Sequence, residues 1–235
     1  MPAPKSRSSI LRSRDGIWGI VLAAGAGSRA GARKQFLRIG ESRLVDLSVR
    51  ATASVCEGLV LVLPKSSSWN GEPVTAVVDG GKTRLESARR GLEAVPSSTR
   101  IVVIHDAAHP LASERLFESL IEAVEARGVD AALPVFPTSD TIMRTRRDQI
   151  TETIPRDGLV TVQVPQAFKA DVLRAAHERG GEASDDGVLV QQFGARIRTV
   201  PGEACNIHIT TMDDLTMAAQ LLRLRPTALN PRPSK

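Results

Sequence analysis

Near-continuous apolar runs punctuate the chain at Gly16–Ala24 (GIWGIVLAA), Gly58–Leu63 (GLVLVL), Val74–Val78 (VTAVV), Ile101–His105 (IVVIH) and Ala131–Phe136. Runs of this length without alternation predict strands covered on both faces. Between them lie stretches of helical periodicity. The clearest is Ser113–Arg127, where Leu116, Leu120, Ile121 and Val124 share one face, Ser113 can cap the start and Gly128 can end it. The alternation predicts an α/β domain: a mostly parallel, doubly wound sheet with helices on both faces. No internal repeat is visible.

Residues 138–164 break the rhythm. They are polar and Thr-rich, with alternations such as Ile150–Ile154 and a charged Arg-Arg-Asp run. This predicts a two-stranded β-arm, too polar on both faces for a core and too small to be stable alone, so it must pack against something, for example a second subunit. Beyond it the pattern predicts a helix near Asp171–Glu178, strands at Arg196–Val200 and Asn206–Thr210, and a helix from Thr211, where Thr-Met-Asp-Asp has the form of a capping box.

Composition narrows the function. Over 235 residues, 42% hydrophobic and 24% charged content allow a sizeable core, while 3% aromatic content and no Tyr leave little for a base-stacking surface. No apolar run approaches the roughly 20 residues of a membrane span. The net charge of +5 would suggest a nucleic-acid partner, but +3 of it sits in residues 1–15 and +4 in residues 223–235, leaving the body at −2. The expected organisation is therefore a body of 16–222 between two solvated basic tails, with no nucleic-acid role. The Arg- and Ser-rich start faintly matches a transit peptide and lacks the apolar core of a secretory signal. Cys56 and Cys205 fit no metal or redox spacing, which points to two small buried thiols in a cytoplasmic protein.

The candidate chemistry begins just after the first strand, in Gly25-Ala-Gly27-Ser-Arg29-Ala-Gly31. Glycines let backbone N–H groups approach an anion, and Arg29 with Lys34 adds the charge a triphosphate requires. The other reading is a tight turn with solvated cations. A dinucleotide fingerprint is not met, since Arg33–Gly40 has no helical face. Gly80-Gly81-Lys82-Thr83 resembles the end of a P-loop, but Ala76 stands where that pattern needs glycine. His105-Asp-Ala-Ala-His109 has the spacing of a zinc-binding helix, yet a strand precedes it and Pro110 follows. What remains is Asp106 at a strand end, placed to hold a divalent cation against phosphates or, on the plainer reading, to cap a helix or bond a loop.

Taken in order, Leu22–Arg29, Lys34-Gln35, Asp79-Gly80-Gly81 with Arg84 and Ser87, His105-Asp-Ala-Ala, Asp140-Thr141, Pro165-Gln166 and Asn206-Ile207 resemble the methylerythritol phosphate cytidylyltransferases and their near relatives, the ribitol-phosphate cytidylyltransferases. The resemblance covers about residues 16–222. It implies a Rossmann-like nucleotidyltransferase fold with a protruding β-arm at 138–164. It also implies transfer of a cytidylyl group from CTP to a polyol phosphate, giving a CDP-alcohol and pyrophosphate in isoprenoid precursor synthesis. By the same resemblance, Ala23, Ala24, Gly25, Gly27, Arg29 and Lys34 would bind the triphosphate, Gly81 and Ser87 the cytosine, and Asp106 a Mg2+ ion. Ala107, His109, Thr141, Arg156 and His208 would meet the acceptor, with Thr141 and Arg156 reaching it from the neighbouring subunit of a homodimer.

The chain departs from that pattern at several positions. His109 stands where the family has Arg, His208 where it has Lys, Arg33 where it has Pro and Val164 where it has Thr. Histidine carries less charge near pH 7 and offers no bidentate fork. Three readings follow: the same reaction run with histidines, a cytidylyltransferase for another acceptor such as ribitol phosphate, or a non-catalytic nucleotide-binding paralogue.

Overall fold

The computed structural model describes residues 14–25 and 34–224. In chain order it contains β1 (Ile17–Leu22), β2 (Arg38–Ile39), β3 (Ser42–Arg43), α1 (Leu44–Ala53), β4 (Gly58–Leu63), β5 (Ala76–Asp79), α2 (Arg84–Glu93), β6 (Ile101–Asp106) and α3 (Glu114–Glu125). These are followed by β7 (Ala131–Pro137), β8 (Ile142–Arg146), β9 (Gln149–Ile154), β10 (Val160–Val162), β11 (Gln166–Lys169), α4 (Ala170–Arg179), α5 (Asp186–Gln192), β12 (Ile197–Pro201) and α6 (Met212–Leu224). A 3-10 turn spans Lys34–Phe36. No helix among the described residues is long and apolar enough to cross a membrane.

Strands β5, β4, β1 and β6 lie side by side and parallel. Antiparallel β11 fits between β6 and β7, and β12 runs parallel to β7. The unbroken apolar runs have the expected cause. In β1, Ile20 and Leu22 face a layer holding Ala88, Leu92, Leu173 and Leu189 from α2, α4 and α5. Val21 faces Val45 and Val49 of α1 on the other side. Phe117, Leu120 and Val124 of α3 cover Ile101 and Val103 on that second side too. Each such Val, Leu, Ile or Phe side chain, fully buried, contributes about 1.5–3 kcal/mol. Gly91 lets α2 close on the sheet, since a Cβ there would sit 2.6 Å from Ile20 Cγ2.

The predicted caps are present. Ser113 Oγ accepts the Leu116 N–H at 3.2 Å. Before α6, Asp214 Oδ2 accepts the Thr211 N–H at 2.8 Å, while the Asp214 N–H donates to Thr211 Oγ1 at 3.2 Å. The helix runs to Leu224, past the expected body limit of 222. Residues 1–13 and 225–235, which hold most of the expected tails, lie outside the described residues, as do Gly27 and Arg29.

Four expectations are corrected. Asn206–Thr210 is not a strand: Asn206 Nδ2 donates to the Val164 carbonyl at 2.7 Å and the Ile209 N–H to the Ala108 carbonyl at 2.9 Å, so its polar groups tie loops rather than form a ladder. The strand expected over Val74–Val78, β5, begins at Ala76, because the Thr75 hydroxyl accepts the Leu59 N–H at 3.0 Å in place of a strand carbonyl. The β-arm is narrower than 138–164. Its hairpin is β8–β9, turning at Arg147 and Asp148, and β10 rejoins the main sheet against Val135–Pro137 of β7. Cys56 is buried, but Cys205, beside a turn, is only half-buried.

Candidate active site

Open α/β sheets bind ligands beyond the carboxyl ends of their strands. Here β1, β5 and β6 end at Leu22, Asp79 and Asp106, and backbone bonds carry the sheet one step further. The Ala23 N–H donates to the Val62 carbonyl (2.8 Å), the Gly80 N–H to the Leu63 carbonyl (2.7 Å) and the Ala107 N–H to the Leu22 carbonyl (2.9 Å). The loops beyond enclose a cleft of about 380 Å³. Of the predicted site residues, Ala23, Ala24, Gly25, Lys34, Gly81, Ser87, Asp106, Ala107 and His208 all line it. They come from five separate stretches of chain.

Each wall has its own support. Buried Gln35 donates from Nε2 to the Gly25 carbonyl (3.2 Å), tying the glycine loop to the 3-10 turn. Lys34 Nζ donates to the Ile209 carbonyl (3.0 Å), which joins that turn to the segment carrying His208. Gly80 permits the approach of the ends of β1 and β5, because a Cβ there would overlap the Ala24 methyl. Thr83 caps α2, its hydroxyl accepting the Glu86 N–H at 3.0 Å. The Ser87 hydroxyl donates to the Thr83 carbonyl (2.9 Å) and accepts the Gly81 N–H (3.0 Å), so Ser87 shapes the loop that bears Gly81.

Asp106 does not cap the Ser113 helix. Both its oxygens accept from Arg84, Oδ2 from Nε at 3.2 Å and Oδ1 from Nη2 at 3.1 Å. The third guanidinium nitrogen, Nη1, donates to Asp186 Oδ2 at 2.6 Å. Burial pulls Arg84 down, but the charges of Asp106 and Asp186 outweigh it and hold the guanidinium above its ordinary value. Arg84 also lines the cleft.

His109 is 9% exposed and stacks on His208, with ring centroids 4.5 Å apart. Burial, reinforced by His208, His105, Lys34 and Arg84, pushes His109 down to about 2, so its ring is neutral. His105 and His109 do not share a helical face: His105 lies in β6 and His109 in the turn after it. Thr141 and Arg156 are exposed on the arm and do not line this cleft within the chain; Arg156 Nη1 donates to the Ser139 carbonyl.

The candidate residues predicted from sequence omit Gln35, Arg84 and Asp186. Arg84 was visible only as part of a motif, and a helix-starting arginine between a cap and an apolar face carries no distinctive signal. Asp186 pairs with Arg84 across 102 positions, a separation that no local pattern reports.

Comparison with known proteins identifies the family of the chain. The family model described as IspD, 2-C-methyl-D-erythritol 4-phosphate cytidylyltransferase, matches residues 17–224. A bifunctional enzyme IspD/IspF of Granulibacter bethesdensis is 39% identical over 206 residues, covering 83% of this chain and 54% of that protein. The chain thus spans about half the length of such bifunctional relatives. The 2-C-methyl-D-erythritol 4-phosphate cytidylyltransferase of Deinococcus radiodurans is 37% identical, with 86% of this chain and 88% of that protein covered. The crystal structure of the enzyme of that name from Thermus thermophilus superposes with a TM-score of 0.76 at 33% identity, over 87% of this chain and 98% of the other. The fold is therefore an α/β nucleotidyltransferase fold, and the chain belongs to the 2-C-methyl-D-erythritol 4-phosphate cytidylyltransferase family.

Proposed function

We propose that this chain is a cytidylyltransferase that transfers a cytidylyl group from CTP to a polyol phosphate, with 2-C-methyl-D-erythritol 4-phosphate as acceptor. The products would be a CDP-alcohol and pyrophosphate, a step toward isoprenoid precursors. The observation that carries this reading is the meeting of Ala23–Gly25, Lys34 and Asp106 in one cleft at the carboxyl edge of the sheet.

In this mechanism an oxygen of the acceptor phosphate attacks the α-phosphorus of CTP in line, and the bond to pyrophosphate breaks with its electron pair leaving on pyrophosphate. No covalent enzyme intermediate forms, so the chain contributes position and charge. The loop from Ala23 and the Lys34 ammonium hold the triphosphate, with Lys34 meeting charge that grows as pyrophosphate departs. Arg29 has the same role in this reading. Gly81 and Ser87 border the base, and Ala107, His109 and His208 border the acceptor.

Mg2+ is the cofactor we assign, held by Asp106. Among the described residues no three ligating side chains come together, so a closed protein cage is not on offer. A single carboxylate at a cleft wall suits Mg2+, which keeps several waters and takes one or two carboxylates plus substrate phosphates. When bound it would neutralise phosphate charge.

We also assign a homodimer joined through the arms. Of the eleven large apolar side chains that are exposed among the described residues, six fall between Phe136 and Val162. Such a concentration on and beside an exposed hairpin suits a second copy that would cover it and receive Thr141 and Arg156. Its place of action is taken to be the cytoplasm; Cys56 is a thiol that burial pushes up to about 12, with no need of an oxidising compartment.

One observation favours a second reading. His109 is buried and neutral, so the acceptor side carries less positive charge than the family pattern supplies. A different polyol phosphate, such as ribitol phosphate, is the alternative acceptor. Pyrophosphate release from CTP, measured with each polyol phosphate in turn, tests both. Release with neither, alongside a CTP-induced rise in melting temperature, would leave only a nucleotide-binding paralogue.

A further inference from the structure

A row of side chains leads away from the cleft into the interior. Arg84 opens α2 and uses all three guanidinium nitrogens: two on Asp106, one on Asp186. Asp186 opens α5 and is fully buried. Its second oxygen lies 2.9 Å from His177 Nε2 on α4, a side chain only 6% exposed. Burial alone would push Asp186 up, but the His177 hydrogen bond and the Arg84 charge keep it below the usual carboxylate range. Asp186 does not itself line the cleft and reaches it only through Arg84, so direct substrate contact does not explain it.

The charge count gives it a role. Among Arg84, Asp106 and Asp186, one guanidinium against two carboxylates leaves a net −1, and of the two carboxylates Asp106 is the one that lines the cleft, beside Arg84. Without Asp186, Arg84 and Asp106 would form a closed neutral pair. A buried ion pair is weak evidence for stability, and a hydrophobic filling could serve equally well. We propose that Asp186, anchored by His177, is a positioning residue that fixes the Arg84 guanidinium and draws off part of its charge, so that Asp106 meets a divalent cation as a net anion. The proposal rests on the reading of Asp106 as the cation's ligand.

The test uses the full chain and Mn2+ alone, followed by the enhancement of water-proton relaxation, with no turnover involved. Asp186→Asn keeps the shape and an acceptor for Arg84 but removes the charge, and should weaken Mn2+ binding about ten-fold. Arg84→Gln combined with Asp186→Asn restores the net −1 at Asp106 and should return affinity to within about two-fold of the parent. Asp106→Asn should abolish binding. Unchanged Mn2+ affinity in Asp186→Asn, with Asp106→Asn still defective, would overturn the proposal and leave Asp186 a structural ion-pair partner. So would a double variant as weak as the single one, because disorganisation is not cured by a second lesion. Should Asp186→Asn fail to fold, the double variant, which has no unpaired charge beyond the cleft, is compared directly with the parent, and a ten-fold deficit overturns the proposal. Binding that survives Asp106→Asn would instead remove the reading of Asp106 itself.

Discussion

The His109 and His208 rings lie nearly parallel, 16° apart in plane and 4.5 Å apart in centroid, one buried and the other exposed at the cleft. His109, held neutral, adds no charge to the pair. Adding a cation at the exposed member should therefore help a phosphorylated acceptor. His208→Lys is expected to lower KM for the acceptor about ten-fold, the worth of one charge-assisted hydrogen bond, and to leave KM for CTP alone. Steady-state kinetics with each substrate varied would check it; an unchanged acceptor KM would place His208 away from the acceptor phosphate.

Lys34 lines the cleft and donates to the Ile209 carbonyl, and in the proposed function it meets the triphosphate. Lys34→Ala should cut turnover about 10²–10³-fold, as for loss of a donor to developing charge. The lost hydrogen bond should cost only about 0.5–1.5 kcal/mol in urea unfolding. Wild-type turnover would remove Lys34 from the phosphate site.

If the arms are exchanged, Lys34→Ala and Arg156→Ala chains should complement each other. Mixed dimers hold one doubly damaged site and one intact site. Random subunit exchange should thus return about a quarter of wild-type activity from two nearly inactive proteins. No recovery after exchange, verified by native mass spectrometry, would assign Arg156 to its own subunit.

His105 sits edge-on to Phe117 at 5.2 Å, fully buried, and neither ring nitrogen has a hydrogen-bond partner among the described residues. Burial pushes its pKa down to about 4. The unfolded value is about 6.5, so the unfolded chain takes up the proton first. Stability should be fully present above about pH 6.5 and fall, by up to about 1.4 kcal/mol per pH unit, as pH drops toward the folded value. His109 adds a fall of the same sign. His105→Leu should shrink the loss of urea midpoint between about pH 7.5 and about pH 5. An identical loss in both proteins would exclude His105 as a source.

What the sequence made legible follows from how each element is buried. β1, β4 and β6 are covered on both faces, so their apolar runs stood out, and α3 has a one-sided face and a Ser cap. Gly25, Lys34 and Asp106, which share the cleft, stood out in the sequence because close anion approach and strand-end carboxylates leave local marks. α5 did not, being seven residues in a polar stretch. Asn206–Thr210 looked like a strand because it alternates, yet its bonding partners are Val164 and Ala108 on distant loops. The Arg84–Asp186 pair depends on tertiary approach alone.

Between β10 and β11, Gln163 exchanges two hydrogen bonds with Glu203: its Oε1 accepts the Glu203 N–H and its Nε2 donates to the Glu203 carbonyl, each at 3.0 Å. Glu203 begins the segment that carries His208 and ends at the carbonyl bound by Lys34. The chain returning from the arm is therefore buttoned to the segment that carries His208 to its own cleft. In a dimer joined through the arms, Thr141 and Arg156, at the base of the β8–β9 hairpin, would stand at the neighbour's cleft. Filling one cleft would tug on a segment whose other end serves the neighbour, so the two halves of the dimer would not turn over as strangers: occupancy on one side should be felt as a change in acceptor affinity on the other.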